Sequence, residues 1–248
     1  MQCRGPIKIK SLLDQAPRST LRMYSVLNNL TDKNIEVYLH HSAILVIDYS
    51  TIMFWAKKTE DLIPLFKYIP TERPLDLFCI EYRFIPLLKK HFENLEITDD
   101  CHIWILEKPP LDPPHLDSLT VEDAPYINEH WEFKDEESIY YITECLSMRP
   151  SSCVRDTEGT PIAWAFSYEE SPYHIHMGAL YVMKAHRCQG LGRQITLDLS
   201  TKVFNRGKKP IVHIRVENLI SQHLTQKVGF EKKERIIYGK LYPKKQKK

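Results

Sequence analysis

Glycine is scarce in this chain, and its placement decides much of what the chain can fold into. Of 248 residues only 8 are glycine; Gly5 alone precedes Gly159, and six lie between Gly178 and Gly239. Two of them, Gly190 and Gly192, stand one residue apart in Arg187-Cys188-Gln189-Gly190-Leu191-Gly192-Arg193. This run follows a strand-like stretch, "YHIHMGALYVM", and opens a helical pattern, "GRQITLDLSTKVFNRG". A helix leaves its first amides without intrahelical partners, and glycine lets a backbone curl towards a ligand. The segment is therefore a candidate anion site, with Arg187 or Arg193 placed to add a charge-assisted bond and diphosphate as the natural guest. Its spacing is neither G-x-x-x-x-G-K-[ST] nor the three-glycine dinucleotide fingerprint.

The same uneven glycine usage separates two halves. "KPPLDPPHLD", residues 108–117, carries four prolines that oppose helix interior and central strand, and the expected domains are 1–110 and 111–248. The first half alternates strand-like and helix-like segments: "EVYLHHSAILVIDY", "DLIPLFKYI", "RFIPLLKKHFEN" and "CHIWILEK". It is α/β and shows no catalytic motif. His40 and His41 are neighbours on a predicted strand and so point to opposite faces, which argues against a shared metal ion; no metal site is expected. The second half opens with capping-box spacing at Thr120 and Asp123, and its pattern predicts the order α α β β β α β α β.

Composition excludes several classes. The 34 basic and 32 acidic side chains nearly cancel, so nucleic acid and membrane surfaces are not expected partners. The lysine-rich end, "YPKKQKK", reads as a solvated terminus rather than an interaction arm. Six cysteines without a C-x-x-C pair fit reduced thiols, and no apolar run is long enough to span a bilayer. Residues 1–30 hold one acid against five basic side chains, faintly like a mitochondrial presequence, but the stretch reads better as two amphipathic helices. The expected compartment is cytoplasmic, with mitochondrial as the alternative.

R-x-x-G-x-G after a strand ending "ALYV", followed by a further strand and "VENLISQHLTQKVGF", resembles the GNAT superfamily of acyl-CoA-dependent N-acyltransferases over roughly residues 116–240. Val216, Asn218, Lys227, Gly229 and Phe230 occupy the positions of that family's second motif. "LTVEDAPYINEHW" and "EGTPIAWAF", behind a weakly patterned α/β half, are similar more narrowly to glycine N-acyltransferases. The resemblance implies a mixed, mostly antiparallel sheet flanked by helices (α+β), preceded by a degenerate GNAT-like half. It implies acyl-CoA or acetyl-CoA as co-substrate. The backbone of Leu180, Tyr181 and Val182 would lie along the pantetheine arm, and Arg187, Cys188, Gln189, Gly190, Leu191, Gly192 and Arg193 would hold the pyrophosphate, with Asn218 beyond.

Many members carry a glutamate eleven residues before the loop arginine; here that position is His176, with His174 two residues away on the same face. Imidazole suits a base near neutral pH, so the resemblance makes His176 the candidate base and His174 a relay or lining residue. Glu169 and Glu170 stand in reserve. A family tyrosine that protonates the thiolate is replaced by Thr225, and Cys188 has no role in direct transfer within a ternary complex. The implied activity moves an acyl group to a primary amine, glycine or a similar small acceptor. The alternatives are acetylation of a protein, polyamine or arylalkylamine, and a silent acyl-CoA-binding paralogue. No motif names the cation that a carboxylate-bearing acceptor needs, and the sequence is silent on oligomeric state.

Overall fold

In the computed structural model, residues 6–28 and 35–242 are described. The lysine run after Tyr242 and the first five residues lie outside them. The first half contributes α1 (Pro6–Leu13), α2 (Leu21–Asn28), β1 (Ile35–His40), β2 (Ala43–Asp48), β3 (Thr51–Ala56), a 3₁₀ helix (Thr59–Tyr68), β4 (Leu75–Glu81), α3 (Ile85–His91) and β5 (Leu95–Ile105). The second contributes α4 (Ala124–Glu129), α5 (Ser138–Met148), β6 (Ser151–Arg155), β7 (Pro161–Glu170), β8 (His174–Val182), α6 (Leu191–Asn205), β9 (Lys209–Arg215), α7 (Leu219–Val228) and β10 (Glu231–Leu241). The two halves repeat one order: two helices, three strands, a helical segment, a strand, a helix, a strand. In both, the first three strands pair antiparallel and the third pairs parallel with the fourth.

The loop that starts the fourth strand's crossover is where the halves diverge. After β8 it holds Gly190 and Gly192. At the equivalent place after β3, the sequence Ala56-Lys57-Lys58-Thr59 has no glycine and runs into a 3₁₀ helix interrupted by Pro64. The first half keeps the order of elements without the glycine turn.

Compact units form from Met1–Ile103 with Lys233–Lys248, and from Trp104–Lys232. This division falls a few residues before the proline-rich seam, and it assigns the final strand to the first unit. The reason is pairing: β10 runs antiparallel to β4, with Ile236 opposite Glu81 and Leu241 opposite Leu75. Gly239 is required there, because a Cβ would strike the Glu96 carbonyl. The first unit's core is built on β2 and β3, where Ile44, Val46, Ile52 and Phe54 are buried with Leu62, Leu88 and Ile237. His40 ends β1 and His41 turns away at φ 46°, so their rings touch at 4.2 Å instead of facing opposite ways along a strand.

In the second unit the strand order is β9-β8-β7-β6, and Leu106, just past β5, donates its amide to the Pro210 carbonyl at 3.1 Å. One face packs Ala163, Ala165, Ile175, Met177 and Ile214 on the α6 residues Ile195, Leu199 and Val203. The other carries Trp164, Phe166, Ile127, Ile142 and Leu146 under α4 and α5. The capping box forms as expected between Thr120 and Asp123. No helix among the described residues is long and apolar enough to cross a membrane.

Candidate functional site

Strand β8 is regular for its first half and irregular for its second. His174, Ile175 and His176 pair in parallel with Lys209, Pro210 and Ile211, and the register stops there although β8 runs on to Val182. On its other edge, Gly178 opposes Phe166 and Tyr181 opposes Trp164, so β8 carries one extra residue: a bulge. Ala179 sits in it at φ 52°, in the left-handed region that L residues with a Cβ rarely occupy. Two observations hold it there. The Ala179 amide hydrogen-bonds the Tyr168 phenol, and Tyr168 crosses β8 where Gly178 has no side chain; a Cβ on Gly178 would lie 2.6 Å from Cζ and 2.7 Å from the hydroxyl. Burial raises the phenol's pKa, keeping it protonated.

The chain then enters the glycine loop. Arg187 is exposed and its Nε donates to the Val182 carbonyl at 3.0 Å, tying the loop to the strand's end. Cys188 at φ 61° and Gly190 at φ 79° reverse the backbone twice. The Gly190 carbonyl accepts from Arg193 and Gln194 at 3.1 Å each, starting α6, and no side chain caps the terminus. The amides of Leu191 and Gly192 thus face outward at the positive end of a fifteen-residue helix. Gly190 is explained by its own conformation. Gly192 is not: a Cβ there would find Leu224 at 3.5 Å and Leu180 at 3.8 Å, ordinary contact. Packing within the chain therefore does not require a glycine at this position.

Beside the loop, Asn218 caps α7 by accepting from the Ser221 amide at 3.0 Å, which gives it a structural duty. Gly229 ends the same helix at φ 104°, its amide bonding the Gln226 carbonyl while Phe230 bonds that of Thr225, the paired closure of a Schellman motif. Thr225 is buried in α7. The second sequence motif is thus largely a helix start and stop.

The histidines separate. His174 is buried at the β7–β8 turn, where its amide bonds the Ser171 hydroxyl and its ring meets Tyr173. His176, also buried, has the Glu169 carboxylate 3.8 Å from its Nδ1, because Glu169 is its cross-strand partner on β7. Against its ring lies His213 from β9, centroids 4.0 Å apart. Desolvation, then the His176 charge, drive the His213 pKa well below 6.5, so His213 is neutral at physiological pH. The sequence reading did not single out His213; its signal was a polar residue, followed two positions on by Arg215, in the otherwise apolar strand "PIVHIRV", visible only once β9 is known to flank β8. Walling the same face are Trp131, stacked on Phe166 at 5.3 Å, and Tyr168, edge-on to His176 at 5.1 Å. Cys145 and Cys153 are buried, with thiol pKa values pushed up to about 11 by desolvation.

Residues 155–238 match the model of the "FR47-like protein" family. A mouse "glycine N-acyltransferase-like protein" is 30% identical over 111 residues, 44% of this chain and 36% of that protein. The matched stretch is thus little more than a third of the relative's length. Among solved structures, a Drosophila protein is 20% identical, with 96% of this chain and 87% of that one covered at a TM-score of 0.69. A putative acetyltransferase of the GNAT family from Novosphingobium aromaticivorans superposes with a TM-score of 0.58 at 13% identity, covering 89% and 96%. The C-terminal half is thus similar to proteins named as a glycine N-acyltransferase-like protein and a GNAT-family acetyltransferase. The bulge, the short parallel ladder between β8 and β9, and the uncapped glycine turn occur together on one strand and the helix start that follows it.

Proposed function

We propose that the protein is an acyl-CoA-dependent N-acyltransferase whose acceptor is the amine of glycine or a similarly small molecule. The observation that carries this reading is the sequence of a bulged strand, an uncapped helix terminus and a glycine that its own packing does not demand, all within Gly178–Gly192. The amides of Leu191 and Gly192, with Arg187 and Arg193, would take the coenzyme pyrophosphate; the backbone of Leu180, Tyr181 and Val182 would run along the pantetheine arm. Bound there, acyl-CoA supplies an activated acyl group with a thiolate as leaving group.

The chain's own residues divide the remaining work. The Leu180 amide, just past the bulge, donates to the acyl oxygen. His176 accepts the proton that the attacking amine loses as its nitrogen bonds the acyl carbon and the carbon–sulfur bond breaks. Glu169 stabilises the resulting imidazolium, and neutral His213 adds no competing charge. Thr225 is a poor acid in a buried position, and burial holds the Tyr168 phenol protonated, so the departing thiolate leaves as the anion or takes its proton from water. Transfer is direct: desolvation pushes the buried Cys145 and Cys153 thiols up, and Cys188 lies in the exposed loop.

The test is coenzyme A thiol release with acetyl-, butyryl- and benzoyl-CoA against glycine and a panel of other amines. Amine-dependent release is expected, and His176→Gln should lower turnover at least tenfold while coenzyme affinity persists. Thioester binding without release for any amine would point instead to a silent acyl-CoA-binding relative.

A further inference from the structure

A cation already engaged in an ion pair, Arg215, stands at the far end of the histidine face. Strand β9 alternates: Val212 and Ile214 pack towards α6, so His213 and Arg215 share the opposite face with His176. Arg215 ends β9, beyond the last residue paired with β8. Its guanidinium donates to Glu132 at 2.8 Å and lies 5.9 Å from the centre of the Phe133 ring, on the segment that also carries Trp131. Glu132 is the more exposed partner, its side chain 66% accessible against 34% for Arg215. An exposed ion pair of this kind is worth at most about 1 kcal/mol, so another carboxylate can take the place of Glu132 without a large penalty.

Three other cations of this unit are committed elsewhere. Lys202 bonds the carbonyls of Leu116, Asp117 and Ser151 besides Asp198, Arg155 grips Asp123, and Arg206 bonds the Met148 carbonyl. Arg215 combines the right face, a replaceable partner and a planar fork suited to a carboxylate. Residues i and i+2 of a strand are about 6.6 Å apart, a span that suits an amino acid with its amine at the imidazoles and its carboxylate at the arginine.

Building on the acyltransferase reading, we propose that Arg215 is the specificity residue that binds the carboxylate of an amino-acid acceptor, with Glu132 occupying it when no acceptor is present. The acceptor class is then small amino acids rather than simple amines or polyamines.

The experiment compares glycine with glycinamide, which keeps the amine and lacks the charge, in thiol release by wild type, Arg215→Gln, Arg215→Lys and Glu132→Gln. Arg215→Gln should raise the glycine KM about 10–100-fold, the loss of one charged hydrogen-bonding partner, while leaving the glycinamide KM within about twofold. Arg215→Lys should fall between, since it keeps charge without the fork, and Glu132→Gln should leave the glycine KM unchanged or lower it. An equal change for both amines in Arg215→Gln, no change for either, or wild-type release with glycinamide but not glycine overturns the assignment while the acyltransferase reading stands. Absence of wild-type release with every amine sinks that reading, and this one with it.

Discussion

Replacing Gly178 with alanine tests whether the bulge is held by Tyr168. The new methyl would lie 2.6 Å from the ring's Cζ and 2.7 Å from its hydroxyl, so the phenol must swing off the strand. Overpacking of this kind costs about 1–3 kcal/mol, and losing the bond from the Ala179 amide adds about 1 kcal/mol. Gly178 lies outside the left-handed region, so alanine recovers about 0.4–1 kcal/mol by restricting the unfolded chain. The net loss is about 2 kcal/mol, or a fall of about 4–8 °C in Tm for a protein of this size. Thermal unfolding of Gly178→Ala, Tyr168→Ala and the double variant measures it. Once the ring is gone the methyl has room, so Gly178→Ala should cost little in the Tyr168→Ala background, a coupling above about 1 kcal/mol. Additive losses, or a Gly178→Ala variant within 1 °C of wild type, would refute the steric account.

Three further outcomes follow from the site. Gly192→Ala should leave stability unchanged or raise it by up to about 1 kcal/mol, yet weaken coenzyme A binding by calorimetry; Gly190→Ala should weaken binding and also cost about 1 kcal/mol for its positive φ. His213 titrates below 6.5 when folded and near 6.5 when unfolded, so below about pH 6.5 the unfolded chain binds more protons and stability falls as pH drops. The slope approaches about 1.4 kcal/mol per pH unit, and His213→Asn should flatten the Tm profile between pH 7.5 and 5. Among the described cysteines, Cys188 is exposed and the others are buried, so brief alkylation followed by peptide mass spectrometry should label Cys188, with coenzyme A slowing it; equal labelling of Cys145 or Cys153 would contradict their burial.

Local rules carried the sequence reading far. Spacing of apolar residues placed the second half's helices and strands, the Thr120–Asp123 pair marked a helix start, and two glycines behind Arg187 marked an uncapped terminus; each depends on residues within about one turn of one another. In the first half β3 and β4 escaped notice; for β3 the reason is that the continuous apolar run "TIMFWA" carries no alternation when both faces are buried. Tertiary structure decided the rest. Only pairing could send β10 to β4, set Glu169 beside His176, bring His213 against that ring from a strand thirty-odd residues later, and put Arg215 on the same face. Sequence fixes what each segment can become because propensity and capping act over a few residues; it is silent on which distant side chains meet, because that depends on the register and order of strands, which no single segment contains.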